Sequence, residues 1–302
     1  MTNYGPGLLT PPQEKEEIFP YRRVWKSLVV ESGLLFAITL SLYFTLVIFD
    51  LKFPVNIQLI LNLILALLPI LLWFLFSWRP EKHVLEPRSQ LLTVVVITGL
   101  TTSAIGIPLI TNFLQVDKWL PLSSALERIL GYAVTVGSVQ EIIKYLVLRY
   151  TIWPQNIRIR QDGIAYSIAA GIGYATVLNI HFITLYSSAP LDIVAQQVFT
   201  NYALLIVTSI IMGYGLAEVR FSNPNPAFLS FVIIVAISIN GIAIPIRAGL
   251  VNASFSLAGS APRTFLGIGF SAVLFIVVNI IIVFLLRNAE RRNEEARSSM
   301  EM

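Results

Sequence analysis

Cysteine is absent from the 302 residues, and histidine occurs only at His83 and His181. The first absence excludes a disulfide framework, a thiolate nucleophile and a thiolate metal site. Two imidazoles are too few for a multi-histidine metal centre. Charge is scarce too: 13% of residues are Asp, Glu, Lys or Arg, where a soluble domain carries about 25%. The net charge of +4 is spread over short segments and is no nucleic-acid footprint. A cleavable-signal layout is also missing. Residues 1–27 (MTNYGPGLLTPPQEKEEIFPYRRVWKS) are polar and Pro-rich, so the first apolar run is expected to stay as an anchor. What fills the chain instead is hydrophobic, 56% by count with a mean hydropathy of +0.75. That composition predicts an all-α polytopic membrane bundle in contact with lipid, with no cofactor implied.

A spanning helix needs about 20 mostly apolar residues. Eight stretches qualify: 28–49, 55–76, 91–113, 126–149, 163–186, 193–217, 227–246 and 265–286. The chain therefore divides into an N-terminal arm (1–27), a transmembrane domain (28–286) and a charged C-terminal tail (287–302), read as a helical extension of the last span. Basic residues alternate between loops. Fifteen, including Arg79, Lys82, Arg88, Arg158, Arg160, Arg220 and Arg292, flank one side. Five (Lys52, Lys118, Arg128, Arg247 and Arg263) flank the other. The positive-inside rule then places both termini in the cytoplasm. Trp25, Trp78, Trp119 and Trp153 fall near span ends, as an aromatic belt requires. No inverted repeat or paired broken helices appear, which counts against a transporter.

The fourth span is the unusual one. Its stretch GSVQEIIKYLVLRY carries Glu141 and Lys144 at i and i+3, on one helix face. An ionisable group near the bilayer centre costs about 2.5–3.5 kcal/mol and marks a candidate site. The two are either a buried ion pair or members of a working site. The fifth span opens with Asp162, a candidate N-cap, beside Gly163. It runs through Gly171 and Gly173 to Asn179 and His181, and the sixth runs from Asn201 to Gly213 and Gly215. Small residues at such spacing let helices approach closely. Asn179 and Asn201 fall at about the same depth, roughly 10–12 Å in, and Glu141 counts out deeper.

Three stretches taken in order resemble the PrsW family of glutamic-type intramembrane proteases. QEIIK (140–144) is similar to its Glu-Glu-x-x-Lys motif. DGIAYSIAAGIGYATVLN (162–179) is similar to its Gly-rich span ending Phe-x-x-x-Glu-Asn. NYALLIVTSIIMGYGLA (201–217) is similar to the span that begins with His-Ala-Leu and ends in a Gly-Tyr-x-x-Gly-like turn. The resemblance covers Gln140 to Ala217. It implies water activated by a glutamate with the help of a second carboxylate and histidines. Here Gln140 stands for the first Glu, Leu178 for the Glu before Asn179 and Asn201 for the His. The later span, VAISINGIAI, offers Ser238 and Asn240 in place of a histidine. Glu141, Lys144, Asp162 and Asn179 remain. Amides keep hydrogen-bonding shape but accept no proton near neutral pH.

Three readings follow. The first is a catalytically inactive PrsW-like protein of the bacterial inner membrane. It would serve as an accessory subunit or regulator of another integral membrane protein or complex, its site lined by Gln140, Glu141, Lys144, Asp162, Leu178, Asn179 and Asn201. The second is an active endopeptidase using Glu141, Lys144 and His181. The third is a transporter with Glu141 and Lys144 on the path.

Overall fold

In lipid a chain must satisfy its own backbone polar groups, so every apolar stretch here is helical. The computed structural model describes residues 24–49, 51, 53–84, 86–222, 224–252 and 264–300. The N-terminal arm up to residue 23 and Arg263 lie outside the described residues. Those described hold α1 (Val24–Phe49), α2 (Val55–Trp73), α3 (Arg79–Glu81), α4 (Leu91–Thr101), α5 (Val116–Trp119) and α6 (Ala125–Tyr132). After these come α7 (Ser138–Thr151), α8 (Arg160–Leu185), α9 (Leu191–Phe221), α10 (Phe228–Asn252) and α11 (Thr264–Met300). α11 carries the last span straight on into the charged tail.

Seven of the described helical stretches are long and apolar enough to cross a membrane. The expected fourth span is present as a continuous rod, α6 and α7 joined by a π-helical turn over Ala133–Gly137. Its charged residues, Glu127, Arg128, Glu141, Lys144 and Arg149, separate it from the other seven. The outer surface of the bundle is apolar, with Phe44, Leu100, Phe231 and Phe284 all more than half exposed, as lipid contact requires. The chain is an integral membrane protein.

The helices alternate in direction, and the Arg-rich segments gather at one end. There Arg88 meets Asp162 at the start of α8, and Arg160 lies beside Glu218 near the end of α9. At the other end Gln58 of α2 donates to the carbonyls of Ser188 and Ala189, between α8 and α9.

α9 is the central helix, 83% of its most apolar stretch being buried. α8 lies antiparallel to it, with α4 on its other side. Small residues set these spacings. A Cβ on Gly213 would sit 2.7 Å from Ile164 Cα, one on Gly171 2.6 Å from Ser209 Oγ, and one on Gly215 2.7 Å from Val232 Cγ1. Against α4, a Cβ on Gly173 would sit 2.4 Å from the Val95 carbonyl oxygen. Backbone cannot rotate away, so Gly173→Ala is expected to destabilise by about 1–3 kcal/mol through overpacking. Thermal unfolding in detergent checks this, with Gly269→Ala, which meets nothing within 4 Å, as the neutral control.

Candidate functional site

The site begins at the π-helical turn Ala133–Gly137. Single π turns inside α-helices often coincide with functional positions. Its small ends, Ala133 and Gly137, let α10 approach closely. A Cβ on Gly241 would sit 2.4 Å from Ala133 Cβ, and one on Gly137 3.0 Å from the Ile237 carbonyl oxygen. This contact delivers Asn240, fully buried, to the next turn of α7. Asn240 Nδ2 donates to Gln140 Oε1 at 2.6 Å and lies 3.4 Å from Glu141 Oε1.

Glu141 and Lys144 are fully buried and pair directly, Nζ to Oε1 at 2.8 Å. Lys144 spends its other donors on α9. Nζ bonds Thr208 Oγ1 at 2.8 Å and Ser209 Oγ at 3.1 Å, with the Leu205 carbonyl at 3.5 Å. The pair therefore ties α7 to the central helix. Glu141 Oε2, buried as well, has no hydrogen-bond partner among the described residues.

Beside this pair lies a pocket of about 230 Å³ between α7, α8, α9 and α10. Its polar lining is Gln140, His181, Gln197, Asn201, Asn240 and Arg247; its apolar lining includes Leu178, Phe182, Leu205 and Ile244. Asn201 Nδ2 donates to Asn179 Oδ1 at 3.0 Å, and Gln197 Nε2 donates to Asn201 Oδ1 at 3.1 Å. The pocket thus has a ladder of amides along one wall, with Arg247 also on its lining.

Gln140, Leu178 and Asn201 come together on this pocket, with Asn179 bonded to its wall and His181 on its lining. Glu141 and Lys144 lie behind the lining rather than on it, with no exposed surface.

Asp162 belongs elsewhere, which corrects its reading both as a lining residue and as an N-cap. Seventeen residues of helix separate it from Asn179, about 25 Å along the axis. It occupies the third position of α8, which starts at Arg160, and its carboxylate accepts from the backbone N–H groups of Arg158 and Ile159. The carboxylate serves the helix N-terminus just as a cap would, but from one turn inside. Among the packing glycines, Gly171 and Gly173 sit on α8, Gly213 and Gly215 on α9.

Sequence reasoning missed Arg247, Gln197, Thr208 and Ser209. Thr208 and Ser209 carry no motif, since hydroxyls in apolar helices usually bond their own backbone. Arg247 was read as a loop charge. The signal available was its spacing from Asn240, seven residues, which repeats a helix face over two turns.

Residues 86–286 match the PrsW-protease family model, described as "PrsW family intramembrane metalloprotease". The chain is 28% identical over 188 residues to "Protease PrsW" of Clostridioides difficile (strain 630), covering 59% of this chain and 76% of that protein. No solved structure matches. The family's description implies a metal. A catalytic zinc takes three protein ligands drawn from His, Asp, Glu or Cys. The pocket offers one imidazole, four amides and a guanidinium, and the neighbouring carboxylate is held by Lys144. Among the described residues no three metal-ligating side chains come together. The donor set here does not fit the metal.

Proposed function

Because the chain belongs to the PrsW family of intramembrane proteases, we propose that it is a member that binds without cutting. In this reading it is an accessory subunit or regulator in a bacterial inner membrane, holding a segment of another integral membrane protein in the amide-lined pocket. The observation that carries the proposal is the separation of acid from cavity. Glu141 is sealed behind the lining and neutralised by Lys144. His181 aside, the pocket-facing residues at the positions of the resembled motifs are Gln140, Leu178, Asn201 and Asn240. None of these can take a proton from water near neutral pH, and loss of a general base costs about 10²–10⁴ in rate. Amides suit the retained role, since each both donates to and accepts from a peptide backbone.

A second reading, an active endopeptidase built on Glu141 and His181, draws support from the unpartnered Glu141 Oε2. One experiment separates the two. The native gene is deleted, and cells are complemented with wild type or with the double variant Glu141→Gln/Lys144→Met, which removes both charges together. New N-termini in membrane proteins are then mapped by mass spectrometry. The binding reading expects no terminus that depends on wild type. Termini present with wild type and lost in the double variant overturn it and establish proteolysis.

A further inference from the structure

The pocket holds two unmet demands on one face of α10. Among the described residues Arg247 is a cation with no acidic partner: its guanidinium bonds the Thr200 hydroxyl, Nη1 to Oγ1 at 2.6 Å. No ion pair joins it to a carboxylate among the described residues, and residues 248–263, which follow it, contain no Asp or Glu. It does not simply reach for the membrane surface either. Thr200 is buried and lies about 13 Å along α9 from that helix's first residue. The second demand is Asn240 Oδ1, a fully buried acceptor without a donor among the described residues. At about 230 Å³ the space between them far exceeds the roughly 10–15 Å³ that one water needs.

We propose that the pocket selects a peptide segment carrying an acidic side chain, which pairs with Arg247 while a backbone N–H of the same segment donates to Asn240. This rests on the peptide-holding reading above and adds its specificity. The cation calls for an anion, and the orphan acceptor calls for a donor. A carboxylate-bearing peptide supplies both, and an unwound one has free N–H groups to give. The geometry sets the spacing. Seven helical residues separate Asn240 from Arg247, about 10 Å along the axis, and an extended peptide rises about 3.3 Å per residue. The acidic residue therefore lies about three positions from the residue bonded to Asn240. The apolar walls, Leu178, Phe182 and Ile244, hold the side chains between.

The test uses the full chain in nanodiscs of zwitterionic phosphatidylcholine. Its probes are two labelled hydrophobic peptides, identical except for Asp or Asn at one position. Wild type is expected to bind the Asp peptide about tenfold or more tightly than the Asn peptide, as a charge-assisted pair requires. Arg247→Met removes that ratio, and Arg247→Lys restores most of it. N-methylation three residues from the Asp weakens binding to wild type but has little effect in Asn240→Leu. Equal binding of the two peptides, or a ratio untouched by Arg247→Met, overturns the proposal while leaving peptide holding intact. No binding of either peptide overturns both. Adding anionic phosphatidylglycerol supplies the remaining arm: loss of the Asp preference there assigns the site to a lipid phosphate and overturns the peptide proposal.

Discussion

Lys144→Met alone is expected to lower stability by about 3–5 kcal/mol, the cost of leaving one member of a buried ion pair unpaired. Glu141 then keeps only the distant amide of Asn240, and Thr208 and Ser209 lose the ammonium that joins α7 to α9. The double variant Glu141→Gln/Lys144→Met should recover most of this loss, because both charges leave together and a methionine fills the lysine's volume. Folded yield after gel filtration and thermal unfolding in mild detergent read the difference. A single variant as stable as wild type would show that the pair contributes nothing to the fold. In that case an acid kept buried at this position would have to be explained by chemistry instead. The double variant thus has two uses: it isolates the pair's structural contribution, and it is the folded control for proteolysis.

Periodicity and composition made the bundle legible, because a run of about 20 apolar residues has few structural options in lipid. The fourth span shows the limit of that reasoning. Its helix runs where expected, yet nothing in hydropathy announces the π turn at Ala133–Gly137. That turn is where α10 packs closest, Gly241 on Ala133. The site was half visible. Gln140, Leu178 and Asn201 were marked by where acidic or imidazole groups are missing, and all three face one pocket. Asp162 was misplaced because order along a motif does not give position along a helix: residues 162 and 179 sit at opposite ends of the same rod. Arg247 was overlooked because a positive charge near a span end is ordinarily interfacial. Only its bond to buried Thr200 turns it inward.

The Arg-rich end of the bundle carries the other large expected effect. Asp162→Ala should destabilise by about 3–5 kcal/mol, and Asp162→Asn by less, since an amide oxygen can still accept. Asp162 is fully buried and accepts from Arg88 Nε at 2.6 Å, Arg158 N at 2.9 Å and Ile159 N at 3.2 Å. Arg88 is fixed in turn by Glu81, Nη1 to Oε2 at 2.9 Å, and Arg158 by Glu86, Nη1 to Oε2 at 3.0 Å. The carboxylate therefore clamps the segment between α3 and α4 onto the first turn of α8, where a negative charge also meets the positive end of the helix dipole. Alanine leaves Arg88 short of an acceptor and two backbone N–H groups orphaned. The clamp lies about 25 Å from the pocket, so the loss should appear as a lower unfolding temperature with the Asp-to-Asn peptide ratio unchanged. A ratio that collapses while the unfolding temperature holds would mean that the two ends of α8 are coupled. Asp162 would then belong to the site after all, acting through the helix.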